Sequence, residues 1–248
     1  VAQRVEFTLT NSTGGLNGLF DFDPEQAVVN ASSLMNSPIN KLGASFDRAS
    51  GVSILITDDN TTYVGGNFTS KDHDNILAII ENDDVKEPGG GLNGEVFAMY
   101  LNDTQLYVGG DFSNTDNGPV TGLDNIAVYD TEADKWSALG AGLDGPVEYA
   151  VPLMINITQD APELVMAFTG SFTSCNAFDD YDAVSVTGFA LWVASEGNWL
   201  QNLDGVYPAF GGPLSSAILD IPMDGGFLYA GALSSAPLGV NGAATLSD

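Results

Sequence analysis

The chain reads Leu106-Tyr107-Val108-Gly109-Gly110-Asp111-Phe112-Ser113 near its middle, and variants of this phrase occur three more times. The other copies are Tyr63–Thr69, Ala167–Thr173 and Leu228–Ser234. The second glycine of each copy stands at position 66, 110, 170 or 231, so neighbouring copies are 44, 60 and 61 residues apart. A period of this length is typical of proteins built from one supersecondary unit per repeat. The phrase therefore predicts a repeat protein.

One repeat, residues 94–143, contains four strand-like runs, each bounded by Gly, Asn or Asp. In the third run Ile126 and Val128 would share one face of a strand, while Ala127 and Tyr129 would share the other. Both faces are apolar, as expected for a sheet that is packed between two others. A four-stranded antiparallel sheet covered on both sides is a propeller blade. The sequence therefore predicts an all-β fold, a β-propeller-like array of kelch-like blades.

Paired glycine inside a strand costs conformational entropy and marks close approach of another backbone or a sharp bend. We expect these glycines to make room where inner strands crowd, and the phenylalanine of each phrase to fill the gap between blades. The alternative is that the glycines only mark bulges at strand ends. The predicted motif residues are Gly65, Gly66, Phe68, Gly109, Gly110, Phe112, Gly170, Phe172 and Gly231.

The repeats divide the chain, as one domain, into an N-terminal segment and about three and a half to four blades. Residues 1–43 form the segment, with a strand-like run at 5–9 and a short helix predicted from Pro24 to about Ser33. The blades are 44–92, 93–143, 144–210 with long loop insertions, and 211–248, which is incomplete. The strands predicted in the last unit are Leu214–Pro222, Phe227–Ser234 and Gly242–Ser247.

An incomplete last blade leaves an unpaired strand edge, which invites aggregation. Two alternatives would cover this edge. Residues 5–10 could close a small four-bladed ring, or further blades could lie outside these residues. We favour the second alternative, in which the array is part of a larger propeller.

Composition excludes several classes of protein. The formal net charge is -27 with only six basic residues, which excludes a nucleic-acid partner because phosphate binding needs Lys and Arg. No apolar stretch approaches the length of a membrane span. The acidic residues are best explained as a solvated surface that keeps a β-rich protein soluble.

The chain offers little for catalysis, and it is predicted not to be an enzyme. His73 and Cys175 are the only histidine and cysteine, which excludes Ser-His-Asp, Cys-His and multi-histidine zinc sites. Paired acids could serve a glycosidase, but they cluster in turns, where solvation explains them. No cofactor is predicted. Calcium is the alternative, since residues 71–75 and 111–117 are rich in oxygen ligands, although neither loop has the EF-hand spacing.

Six Asn-X-Ser/Thr sequons are consistent with a glycoprotein, and most fall at predicted turns. Asn67 is the exception, because it lies inside the Gly-Gly phrase. Cys175 is predicted to be either a buried small hydrophobe or the partner of a cysteine outside the chain. The candidate glycosylation sites are Asn11, Asn30, Asn60, Asn67, Asn102 and Asn156.

The ordered combination of these phrases resembles the fungal cortical polarity-marker proteins of bipolar bud-site selection. Besides the Gly-Gly phrases, the resemblance is carried by Pro88–Val96, Lys135–Gly142, Gly188–Val193 with Asn198–Leu203, and Asn17–Pro24. It covers nearly the whole chain.

The resemblance implies a large, glycosylated, single-pass surface protein with propeller-like extracellular repeats and a membrane anchor outside this chain. It also implies a landmark function for growth sites and no catalytic residues. The expected partners are the remaining repeats of the same protein and a membrane or cell-wall protein. A cell-wall glycan is the alternative partner, for which exposed aromatic residues would be the mark, but Trp136, Trp192 and Trp199 lie in strand-like runs that predict core positions.

Overall fold

A computed structural model describes residues 46–58, 61–70, 73–80, 84–155, 163–203, 222–223, 226–235 and 240–247. These residues form an all-β fold of antiparallel sheets with almost no helix, as the repeats predict. The predicted N-terminal strand and helix lie outside the described residues. The strands are β1 Phe46–Asp58, β2 Thr61–Ser70, β3 Asp74–Ile79, β4 Val85–Lys86, β5 Glu95–Asn102, β6 Gln105–Asp111, β7 Ile126–Asp130, β8 Lys135–Ala138, β9 Val147–Ile155, β10 Glu163–Gly170, β11 Ser174–Cys175, β12 Val184–Ser185, β13 Phe189–Val193, β14 Asn198–Trp199, β15 Pro222–Met223, β16 Gly226–Ser235 and β17 Val240–Ser247.

Three of the sheets have four strands each, and every neighbouring pair is antiparallel. The first sheet has the order β1-β2-β3-β4, the second β5-β6-β7-β8, and the third β9-β10-β13-β14. The Gly-Gly strands are β2 and β6, and the matching strand of the third sheet is β10, so each phrase occupies the second strand of its sheet. The long loop predicted after β10 contains the small hairpin β11-β12.

A further sheet, β15-β16-β17, has three strands. Strands β16 and β17 coincide with two of the strands predicted for the last unit. Only Pro222 of the predicted strand Leu214–Pro222 is described, as the start of β15. No sheet in the described part of the chain closes on itself, and the unit boundaries stay predictions.

The three four-stranded sheets pack face to face in series. Strand β5 packs against β1 and β2 of the first sheet, and β9 packs against β5 and β6 of the second. Ala127 and Tyr129 of β7 join an apolar cluster with the first sheet, whereas Ile126 joins a cluster with the third. The middle sheet is therefore covered on both faces, because its strands carry apolar residues at successive positions.

Helix is limited, in the described ranges, to two three-residue 3-10 turns, Pro88–Gly90 and Leu200–Asn202. No helix among the described residues is long and apolar enough to cross a membrane.

Candidate functional site

The first glycine of the Gly-Gly pair lies where one sheet meets the next. A Cβ atom added to Gly65 would stand 2.6 Å from Cγ1 of Val96, and one added to Gly109 would stand 2.5 Å from Cγ1 of Val147. Val96 and Val147 are fully buried and hold equivalent positions in the first strands of the following sheets. The missing side chain therefore allows the next sheet to pack closely.

The second glycine has a different function, within its own sheet. A Cβ atom on Gly66 or Gly110 would overlap a backbone carbonyl of the neighbouring first strand, and one on Gly170 would overlap the carbonyl of Pro146, directly before β9. The first strands also have β-bulges here, as the register shift between Val96 and Ala98 shows. Close approach of a neighbouring strand and a bulge thus occur together at this glycine.

The motif phenylalanines Phe68, Phe112 and Phe172 are all buried. In the third sheet Thr169 replaces the first glycine, and it is also buried. Its hydroxyl has no hydrogen-bond partner within the described ranges. The third sheet therefore has a side chain at this position, where the first and second sheets have Gly65 and Gly109.

One asparagine in each of the first two sheets ties that sheet to the segment that begins the next one. Nδ2 of Asn75 donates to the Leu92 carbonyl at 3.0 Å, and Nδ2 of Asn125 donates to the Leu143 carbonyl at 2.9 Å. Both residues have positive φ, which asparagine tolerates better than most residues. Gly188 holds the matching position in the third sheet and keeps the positive φ without a side chain that could donate.

A second pair of equivalent residues, Asn93 and Asp144, fixes the loops that follow β6 and β10. Oδ1 of Asn93 accepts from the backbone N–H groups of Ser113 at 2.9 Å and Asn114 at 3.1 Å. Oδ1 of Asp144 accepts from the backbone N–H groups of Thr173 at 2.6 Å and Ser174 at 2.8 Å. Partial burial would raise the pKa of Asp144, but the hydrogen bond that the Thr173 hydroxyl donates to Oδ2 at 2.6 Å, together with these backbone hydrogen bonds, outweighs it and holds the pKa below its ordinary value.

Asp134 joins the first and second sheets. Its carboxylate accepts from the Tyr129 hydroxyl at 2.5 Å and from the Gly89 N–H at 3.0 Å, and it pairs with Nζ of Lys86 at 2.9 Å. Partial burial would raise the pKa of Asp134, but these partners hold it below its ordinary value. Burial, and then the hydrogen bond to Asp134, raise the pKa of Tyr129 well above its usual range. Nearby, Nε1 of Trp136 donates to the Pro88 carbonyl at 2.8 Å.

A cleft that combines aromatic and acidic residues lies between β5 and β9, where the second and third sheets meet. It has a volume of about 510 Å³ and is lined by Phe97, Pro146, Glu148, Tyr149 and Ser171. The Ser171 hydroxyl donates to Oε1 of Glu148 at 3.0 Å, which fixes the carboxylate at the wall. The arrangement could hold a ligand that has both apolar surface and a group complementary to a carboxylate.

Two further clefts occur in the described part of the chain. The first is lined mainly by polar residues, and the second lies beside the turns that follow β1 and β5. One of about 290 Å³ is lined by Asn93, Asp111, Phe112, Ser113, Asp124 and Asn125. The other, about 430 Å³, is lined by Ile56, Thr57, Asp58, Tyr100, Leu101 and Asp103.

The structure distinguishes the two described sequons. Nδ2 of Asn67, the atom that a glycan would modify, donates to Oε2 of Glu95 at 2.9 Å. Asn102 is the last residue of β5, at a hairpin whose next residue, Asp103, has a φ of 51°. The sequons at Asn11, Asn30, Asn60 and Asn156 lie outside the described residues, and Gly231 lies in β16.

Cys175 is a free thiol in the apolar cluster between the second and third sheets, and burial raises its pKa to about 12. Trp136, Trp192 and Trp199 are also buried. Among the described residues, no three His, Cys, Asp or Glu side chains are grouped so that they could hold a metal ion. The calcium alternative stays untested, since residues 71–72 of one candidate loop lie outside the described ranges.

Sequence reasoning missed the polar side chains that join and brace the sheets. The sequence pattern that marks these side chains becomes visible when the repeats are aligned by their equivalent strands. Asn75-Ile76 matches Asn125-Ile126 at the start of a third strand, and Leu92-Asn93-Gly94 matches Leu143-Asp144-Gly145 before a first strand. The cleft had no such signal, because its lining comes from two sheets.

No protein-family model matches the chain. The chain is 41% identical, over an alignment of 255 positions that covers 100% of its length, to "Polarized growth protein L1" of Phoma sp.. It is 28% identical, over 244 aligned residues and 95% of its length, to "Polarized growth protein rax2" of Schizosaccharomyces pombe. The chain spans 19% and 20% of these two relatives, about a fifth of each. Together with the ordered repeat phrases, this similarity supports the resemblance of the chain to the fungal polarity-marker family.

Proposed function

We propose that this chain is part of a non-enzymatic fungal cell-surface glycoprotein that marks sites of polarized growth by binding a protein partner. The observation that carries the proposal is the 41% identity to a polarized growth protein along the whole chain. Both relatives are named for polarized growth rather than for a catalysed reaction. A single histidine and a single cysteine in the whole sequence agree with a binding function.

The proposed scaffold is a β-propeller-like array of kelch-like blades that continues in the remaining repeats of the same protein. The serial packing of three four-stranded antiparallel sheets supports it, since each first strand lies against the preceding sheet. The same contacts recur at Gly65 with Val96 and at Gly109 with Val147, as expected for a regular array of blades. Such an array would present its loops and inter-sheet clefts to partners.

The proposed location is the cell surface, with the chain in the extracellular region of a single-pass membrane protein. The sequons support this location, since Asn102 lies at a hairpin turn where a glycan can be accommodated. A membrane or cell-wall protein is the proposed partner.

Binding of a cell-wall glycan is the second candidate function. The observation that favours it is the cleft lined by Phe97 and Tyr149, because aromatic rings can stack on sugars. The burial of all three tryptophans is against it, since the largest aromatic surfaces are not accessible. A glycan array with the purified chain distinguishes the two candidates, and bound wall oligosaccharides with no protein partner would favour the glycan.

The growth function is tested in the fungus that makes the protein, by removing residues 44–203 from the encoded protein. We expect growth sites to be misplaced or lost. Labelling of intact cells with a membrane-impermeant reagent measures how much truncated protein reaches the surface, and so tests the location as well. Normal placement of growth sites, with the truncated protein present at the normal level, would contradict the proposal.

A further inference from the structure

We propose that the cleft between β5 and β9 binds a basic segment of the partner protein, with an arginine or lysine side chain against Phe97 and Tyr149 and paired with Glu148. The inference rests on the proposed function, because it assumes that the chain acts by holding a protein. It adds the place of contact and the chemistry of the ligand.

The backbone of both strands is irregular where they line this cleft. Phe97 lies between Val96 and Ala98, where the pairing of β5 with β6 shifts register. Glu148 lies at the matching shift of β9, between Val147 and Tyr149. A bulge re-aims the side chain of its extra residue, and bulges are enriched next to functional sites. The same irregularity thus brings an aromatic ring from one sheet and a carboxylate from the next to one cleft.

The lining suits a cation with an apolar stem. Phe97, Pro146 and Tyr149 are half-buried, so each keeps part of its surface accessible. An ammonium or guanidinium group is attracted to the face of an aromatic ring, and its methylene stem can pack on apolar surface. Glu148 supplies the opposite charge, and its hydrogen bond from Ser171 reduces the entropy lost when it pairs with a ligand.

The charge of the whole chain favours the same class of ligand. None of the described residues that line the cleft is basic, and the net charge of -27 attracts cationic segments over long distances. Long-range attraction mainly raises the association rate and excludes acidic competitors. A neutral sugar could also stack on Phe97 and Tyr149, but it would gain nothing from this field. The charge therefore favours a basic peptide over a glycan.

The test uses the full 248-residue chain and two fluorescein-labelled hexapeptides. One alternates glycine with arginine, and the other alternates glycine with glutamate. We expect fluorescence anisotropy to show binding of the arginine peptide alone, and weaker binding when salt is raised from about 50 mM to about 300 mM. Glu148→Gln and Tyr149→Ala should each raise the Kd about two- to fivefold.

Glu132→Gln is the matched control, because it removes one acid from an exposed turn of the second sheet. It should change the Kd by less than about 1.5-fold, since Glu132 does not line the cleft and salt screens an exposed charge from a ligand that it does not contact. If Glu132→Gln and Glu148→Gln raise the Kd equally, the peptide responds only to the overall charge of the chain, and the proposed site is wrong. Thermal unfolding of each variant checks that the fold is intact. Tyr149→Phe keeps the aromatic ring and should therefore retain binding if the ring supplies the contact.

A neutral β-glucan hexasaccharide is the competing probe. If it binds, and Tyr149→Ala abolishes this binding while the arginine peptide does not compete, the cleft is a glycan site and the inference is overturned. Removing residues 44–203 in the fungus distinguishes a failure of the cleft proposal from a failure of the proposed function. Misplaced growth sites together with absent peptide binding refute only the cleft, whereas normal growth sites refute the proposed function.

Discussion

Substituting Gly109 by alanine tests whether the first glycine of the motif allows the sheets to pack. The new methyl carbon would stand 2.5 Å from Cγ1 and 3.0 Å from Cβ of Val147. Ordinary carbon–carbon contact is at about 3.5 to 4.0 Å, so one sheet must move by roughly 1 Å or the strand must distort. Overpacking of this kind costs about 1 to 3 kcal/mol. We therefore expect Gly109→Ala to lower the free energy of unfolding by that amount.

A double-mutant cycle with Val147→Ala identifies the cause of this loss. Val147 is fully buried, so its truncation alone should cost about 1 to 3 kcal/mol. In the double variant the methyl group of residue 109 occupies space that the valine leaves. The double variant should therefore be at least about 0.5 kcal/mol more stable than the sum of the two single changes predicts.

Gly51→Ala is the control, since a Cβ atom there meets nothing within 4 Å. It should leave stability unchanged or raise it by up to about 1 kcal/mol, because alanine restricts the unfolded chain. Urea unfolding followed by the fluorescence of the buried tryptophans measures all four variants. If Gly109→Ala is as harmless as Gly51→Ala, or if the cycle shows no coupling, the close approach of β6 and β9 does not explain the motif.

The polar contacts, the sequons and the cysteine give four more predictions. Asn125→Ala should cost about 1 to 3 kcal/mol in urea unfolding, and Asn125→Gly, which keeps the positive φ, should recover part of it. Because the pKa of Asp134 is lowered in the folded state, its ionised carboxylate stabilises the fold at pH values above the ordinary aspartate pKa of about 3.9. This stabilisation is lost as the pH falls through the pKa of the folded state. Asp134→Asn should therefore reduce the loss of unfolding free energy that occurs on acidification. The reduction should be less than about 1 kcal/mol, because the Asp134 side chain is 46% exposed. Peptide mapping of secreted protein should find a glycan at Asn102 and none at Asn67, whose amide nitrogen is engaged. A thiol reagent at about pH 8 should label Cys175 only after unfolding, since the buried thiol has a pKa of about 12.

Local patterns were sufficient to predict the strands of the second sheet. Gly, Asn and Asp bound each run, and the alternation at Ile126 and Ala127 predicted that both faces would be covered. The hairpin β11-β12 was missed because its strands have two residues each, too short for any periodicity to be visible. In the Gly-Gly phrase, the next sheet packs closely at the first glycine, whereas close approach of the neighbouring strand and a bulge occur together at the second.

The sequence by itself determined that this is an acidic, repeated, antiparallel β protein related to fungal polarity markers, because these properties depend on composition, short-range pattern and the order of phrases. The tertiary structure alone decided which side chains join the sheets. Asn125 reaches the Leu143 carbonyl, and Asp134 reaches Lys86 and Gly89, across sequence separations that no local pattern specifies. The cleft of Phe97 and Glu148 has the same origin, since its two walls become neighbours only when β9 packs against β5. Such contacts depend on how the sheets stack, and stacking is set by the packing of whole faces rather than by any single segment.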